Sequence, residues 1–103
     1  MTYATAITAL ADPTRRAVFE AIATKPDNVA SLAQKFPVSR PAISQHLKVL
    51  HDAQLVIAKP LGARRIYHLD QTGLAAIREY LDGFWSDALG AFAAEIHRQN
   101  KSQ

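Results

Sequence analysis

A mainly α domain of five helices with one β-hairpin is predicted by three observations. Apolar residues recur at three- and four-residue spacing through most of the chain. Capping residues followed by Pro or by an apolar run mark several helix starts. One β-branched and aromatic stretch, broken by Pro and Gly between residues 55 and 69, interrupts the helical pattern. At 103 residues the chain is one domain, 1–103, with a modest core.

The elements follow in order. Tyr3 to Leu10 reads as a short helix with Ile7 and Leu10 on one side. Asp12-Pro13 starts a second helix, Asp as cap and Pro at the first helical position, running to about Ala23 with Val18, Ala21 and Ile22 inward. Lys25-Pro26-Asp27-Asn28 is a break, and Asp27 or Asn28 caps a third helix with Val29, Leu32, Ala33 and Phe36 as its apolar side. After Pro37-Val38, Ser39 caps a fourth helix reaching about Ala53, with Pro41 in its first turn. Ile43, Leu47 and Leu50 form its buried stripe, and Arg40, Pro41, Ser44, Gln45, Lys48 and Asp52 face away from it. His46 sits on the flank. Leu55–Lys59 and Arg64–Leu69, joined by Pro60-Leu61-Gly62-Ala63, form the hairpin. Asp70 caps a last helix to about Gln99, whose apolar stripe includes Leu74, Ile77, Leu81, Phe84, Trp85, Leu89, Phe92 and Ile96.

Composition excludes several classes. A 49% hydrophobic chain with regular spacing is not disordered. With no cysteine there is no disulfide, thiolate zinc site, iron–sulfur cluster or cysteine nucleophile. There is no nucleophile elbow, phosphate-cradling glycine loop or His-Glu-x-x-His motif, so neither an enzyme nor a cofactor or metal is expected. No apolar run nears the ~18 residues of a membrane span, so no membrane insertion is expected. Met1-Thr2-Tyr3-Ala4-Thr5 is not the start of a signal peptide, which leaves the cytoplasm as the expected location.

The charge is +3 overall but unevenly placed. Residues 37–68 hold Arg40, Lys48, Lys59, Arg64 and Arg65 against Asp52 alone, net +4. Residues 69–103 hold Arg78, Arg98 and Lys101 against Asp70, Glu79, Asp82, Asp87 and Glu95, net −2. A localised basic patch is the footprint of a phosphate-binding face, or of an ordinary solvated surface.

Two short helices joined tightly, at about 28–53, followed by a basic hairpin at about 55–69, make a winged helix-turn-helix. The fourth helix, ~22 Å long, suits a major groove ~12 Å wide. Ser44 and Gln45 suit base edges, Arg40 a guanine or phosphate, and Lys48 a phosphate. Arg64 and Arg65, with Lys59, would reach the backbone or the adjacent minor groove. His46 could read DNA or simply pack, and Arg15 and Arg16 could meet phosphate or solvent. Double-stranded DNA is the expected partner; a protein-docking winged helix without DNA binding is the alternative.

Three stretches carry a family resemblance. Ala9-Leu10-Ala11-Asp12-Pro13-Thr14-Arg15-Arg16, then Ser39-Arg40-Pro41-Ala42-Ile43-Ser44-Gln45-His46-Leu47-Lys48-Val49-Leu50, then Gly62 with Arg64, Tyr67 and Leu69, closely resemble arsenic-repressor-type (ArsR family) winged helix-turn-helix regulators. The resemblance spans about residues 4–97. It implies a homodimeric, operator-binding repressor that contacts DNA through Ser39, Arg40, Pro41, Ala42, Ser44, Gln45, His46 and Lys48. It also implies a dimer formed by the first and last helices, about 3–10 and 71–99, and switching by an effector or protein anti-repressor in many members. Where metal-sensing members carry a Cys-x-Cys pair, this chain has Asn28 and Ala30; where others carry metal ligands on the last helix, it has Phe84, Ser86, His97 and Asn100. A lone imidazole makes no metal site, so the chain is similar to the cysteine-free, autorepressor-like branch. Gln54 stands where the family usually has a helix-ending Gly.

The last helix is apolar over more of its surface than one small domain can cover. A twofold dimer buries it most simply, through Ile7, Leu74, Ile77, Leu81, Phe84, Trp85, Leu89 and Phe92. An aromatic ligand pocket at Phe84, Trp85 and Phe92 is the other reading.

Overall fold

The computed structural model describes residues 3–101. Its elements are α1 (Tyr3–Ala9), α2 (Pro13–Thr24), α3 (Val29–Lys35), α4 (Arg40–Asp52), β1 (Val56–Leu61), β2 (Arg64–Leu69) and α5 (Gln71–Lys101). Five helices and an antiparallel two-stranded hairpin form a winged helix-turn-helix.

Local chemistry sets the helix starts. The Asp12 carboxylate accepts the Arg15 backbone N–H at 2.8 Å, with Pro13 at the first position. The Asn28 side chain accepts from Ser31 N–H at 2.9 Å, and the Ser39 hydroxyl from Ala42 N–H at 3.2 Å. The Asp70 carboxylate accepts from Thr72 N–H at 2.9 Å.

The core gathers Val18, Phe19 and Ile22 of α2, Leu32 of α3, Ile43, Leu47 and Leu50 of α4, and Leu55 and Val56 beyond it. Two inward assignments change. Phe19 is buried and Ala21 only partly so, because α2 lies between α4 and β2 and needs a wider apolar face. In α1 the buried residues are Ala6 and Ala9, whose small side chains let the helix lie close to the core, while Ile7 stays 43% exposed.

The end of α4 decides where the wing goes. Gln54 N–H donates to His51 carbonyl and Leu55 N–H to Leu50 carbonyl, each at 2.9 Å, in a Schellman pattern. Gln54 takes the left-handed conformation this needs, φ 57°, in place of the expected glycine. The chain then enters β1, which pairs with β2 from Val56↔Leu69 to Leu61↔Arg64. The turn is thus Gly62-Ala63 alone, with Gly62 at φ 62°. Pro60 and Leu61, expected in the turn, extend the strand instead, since an edge position needs no N–H from Pro60. Asp27 adds a bridge on the other side of β2: Tyr67 N–H donates to Asp27 carbonyl at 2.8 Å, and Asp27 N–H to Tyr67 carbonyl at 3.2 Å.

α5 is anchored at its first turns and free beyond them. Gly73 is buried against the end of α4, its N–H donating to Gln54 carbonyl at 2.8 Å. Leu74 and Ile77 pack on the core, and the Tyr3 and Tyr80 rings stack at 4.0 Å, tying α1 to α5. From Leu81 on, the helix runs outward, and the fold spans 71 × 25 × 21 Å. Among the described residues no helix is long and apolar enough to cross a membrane.

Candidate nucleic-acid interface

The burial of Ile43, Leu47 and Leu50 turns the opposite side of α4 outward. Arg40, Pro41, Ser44, Gln45 and Lys48 are all exposed there. Ala42 and His46 are half-buried on the flanks, and the Ser39 hydroxyl is engaged as the helix cap. The positive end of the α4 dipole adds to the potential at this end.

The wing residues divide between two faces. Cross-strand partners share a face, so Ala58 and Tyr67 lie with Pro60 and Arg65, while Lys59 and Ile66 lie with Leu61 and Arg64. The first face looks at α4. There Ser44, Lys48 and His51 oppose Ala58, Arg65 and Tyr67 across a cleft of about 300 Å³. A second groove, of about 390 Å³, brings Arg40 together with Arg64 and Arg65 beside Asn28 and Ala30. Lys59 is exposed on the far face and lines neither. Among the described residues, Arg40, Arg64 and Arg65 have no carboxylate partner, so their charge is available to an outside anion.

Two side chains of this surface are not among the DNA contacts expected from sequence: His51 and Tyr67. The signal for His51 was present, because Ser44, Lys48 and His51 are spaced by four and three and share a helix stripe. Tyr67 joins them only through strand pairing. Conversely, Arg15 and Arg16 turn out to be structural. Arg15 donates to the carbonyls of Ala9 and Thr8, and Arg16 to Leu10 carbonyl at 2.8 Å, which satisfies the last turn of α1.

Asp27 positions the helix-turn-helix against the wing. Burial pushes its carboxyl up, but the Lys35 ammonium at 2.8 Å, Asn28 N–H and the Ser31 hydroxyl outweigh this and hold it below its ordinary 3.8. The Arg15 N–H likewise holds the Asp12 cap below its ordinary value.

A helix-turn-helix whose second helix shows a polar side next to a cationic hairpin defines a winged-helix regulator of transcription. Residues 12–58 match the model of the bacterial regulatory protein, arsR family. The chain is 59% identical to the HTH-type transcriptional regulator Rv2034 of Mycobacterium tuberculosis over 85% of its length and 82% of that protein's. It is 32% identical to the transcriptional repressor SdpR of Bacillus subtilis, covering 64% of this chain and 73% of that one. An ArsR-like transcriptional regulator from Rhodococcus sp. RHA1 shares its fold with a TM-score of 0.81 at 28% identity, over 89% and 87% of the two chains. The chain belongs to the arsR family: it is a helix-turn-helix transcriptional regulator, not an enzyme.

Proposed function

We propose that this chain is a homodimeric repressor that binds an inverted-repeat operator, placing one α4 in each of two successive major grooves. The observation that carries the proposal is the α4 surface: Arg40, Ser44, Gln45 and Lys48 exposed together, beside Arg64 and Arg65. Gln45 and Ser44 read base edges; Arg40, Lys48, Arg65 and Arg64 hold phosphates. A repressor among its relatives supports the sign of the regulation.

The dimer is supported by what α5 leaves uncovered. Phe84, Trp85 and Phe92 are 60%, 64% and 63% exposed, and Leu81, Leu89 and Ile7 are exposed with them. So large an apolar face on a small domain calls for a partner, and a second copy supplies a matching face. Leu74 and Ile77 are partly spent on the protomer's own core, so they form the inner edge of that interface. The metal-sensing role of some family members is not proposed. At the family's thiolate positions, Asn28 is occupied as the α3 cap and Ala30 carries no ligand atom.

The test is binding to the DNA upstream of its own coding region, by fluorescence anisotropy across a salt series. If ~6 phosphates are neutralised, log affinity falls against log salt with a slope near −5. Gln45→Ala costs ~1–3 kcal/mol and relaxes one operator position, whereas Arg64→Ala weakens all duplexes alike. No salt-sensitive complex up to micromolar protein would instead support a protein-docking winged helix.

A further inference from the structure

We infer that the cavity between α1 and the end of α4 is a binding site for a small apolar α-amino acid, which acts on DNA binding through Asp52. The site stands apart from the repressor reading; its effect on DNA rests on that reading.

The cavity is open because only small side chains meet there. Ala4 and Ala9 of α1 oppose Val49 of α4 and the following Ala53. These short chains leave a space of about 430 Å³, within the size range of small-molecule sites. Its floor is aliphatic, and the threonine hydroxyls of α1 lie at its edge.

Two opposite charges border that floor. From α2 comes Arg15, whose Nε donates to Ala9 carbonyl and whose Nη2 donates to Thr8 carbonyl at 3.4 Å. These bonds fix the guanidinium in place and leave the rest of its five N–H donors over. Among the described residues no carboxylate makes an ion pair with it. From α4 comes Asp52. Its carboxylate approaches His51 Nδ1 only to 3.7 Å and Lys48 Nζ only to 3.8 Å, and accepts no hydrogen bond among the described residues.

The ligand that matches is therefore a zwitterion with an apolar body. Its carboxylate meets Arg15, its ammonium meets Asp52, and its side chain covers the aliphatic floor. A fatty acid would bring a second negative charge beside Asp52, and a simple amine would leave Arg15 without an anion. An α-amino acid with a large apolar side chain carries all three parts. Asp52 also connects the site to DNA. It attracts Lys48, one of the proposed phosphate ligands, and a bound ammonium offsets that attraction. The amino acid thereby frees Lys48 for phosphate and tightens DNA binding by about two- to five-fold per copy, the size of an exposed ion pair.

Calorimetry on the full chain without DNA tests the site, with L-phenylalanine as probe. Three analogues each lack one part: N-acetyl-L-phenylalanine the ammonium, 2-phenylethylamine the carboxylate, glycine the apolar body. L-phenylalanine binds saturably, and each analogue binds about ten-fold more weakly or worse. Asp52→Asn lowers the affinity for L-phenylalanine by a similar factor but leaves that for N-acetyl-L-phenylalanine unchanged, which a general loosening of the fold would not do. The Asp52 side chain is 63% exposed, so this change spares the core. Ala4→Phe, at an exposed position of α1, fills the cavity and abolishes binding. No saturable binding, an analogue equal to L-phenylalanine, equal losses for both ligands in Asp52→Asn, or wild-type binding in Ala4→Phe overturns the inference. Anisotropy with the upstream duplex at saturating L-phenylalanine reads the coupling: unchanged DNA affinity overturns the link through Asp52. Failure to bind any duplex with or without the amino acid sinks the repressor proposal, while the calorimetry still decides the site.

Discussion

Replacing Gly73 with Ala tests how α5 is held. A Cβ at this position would stand 2.6 Å from Ala53 carbonyl oxygen, 2.9 Å from Gln54 carbonyl oxygen and 3.0 Å from Leu55 Cδ2. Two of these neighbours are backbone atoms of the turn that closes α4, so neither can rotate away. Reaching an ordinary contact of 3.4 Å moves α5 by about 0.8 Å. That shift strains the 2.8 Å hydrogen bond from Gly73 N–H to Gln54 and the 3.0 Å bond from Asp70 N–H to Leu55. Overpacking costs about 2 kcal/mol and a weakened hydrogen bond about 1. The better helix propensity of Ala returns about 1. The net loss is about 2 kcal/mol, or roughly 10 °C in Tm for a domain of this size. Thermal and urea unfolding at one fixed protein concentration measure it, since the proposed dimer would make apparent stability concentration-dependent. A Gly73→Ala protein as stable as wild type would refute the idea that α5 is anchored by backbone contact at this point.

Other outcomes follow from the same packing. Gln54→Gly relieves a left-handed non-glycine residue and stabilises the fold by about 0.5–1 kcal/mol, read as a raised urea midpoint with unchanged slope. In the dimer proposed above, Trp85→Arg or Leu81→Arg places a charge on the exposed α5 face, yielding monomers by sedimentation and abolishing binding to the proposed operator together. Asp27 and Asp12 titrate below the ordinary 3.8, so their stabilisation is complete above that value and is lost as pH falls through the lower folded value. Asp27→Asn, compared with wild type by urea unfolding between about pH 5 and 3, accordingly shows a shallower loss of stability in acid. Arg15→Ala frees the last carbonyls of α1 and weakens helix α1 before the core, seen as faster amide exchange confined to residues 3–11.

Much of the fold is readable because its signals are local. Asp12-Pro13, Asn28 and Ser39-Arg40-Pro41 each start a helix where they are found, since a cap acts on N–H groups two or three residues away. The Ile43, Leu47, Leu50 stripe likewise settles which side of α4 is wet, and with it Arg40, Ser44, Gln45 and Lys48. The hairpin was less legible: Pro60 and Gly62 both read as turn residues, and only pairing with Arg65 draws Pro60 into the strand. Arg15 and Arg16 were ambiguous for a similar reason. Their partners, the α1 carbonyls, lie six or seven residues back, and the angle between α1 and α2 decides whether they can be reached.

The chain taken alone thus determined the helices, the wing, the cationic middle and the polar side of α4, because caps, periodicity and charge act over one or two turns. Tertiary structure decided which groups meet across elements. It set Arg65 and Tyr67 opposite Lys48 and His51, divided the wing's cations between two faces, and pressed Gly73 onto the end of α4. Those contacts depend on strand register and on the left-handed turn at Gln54. Long-range packing selects both, and no short window of sequence contains it.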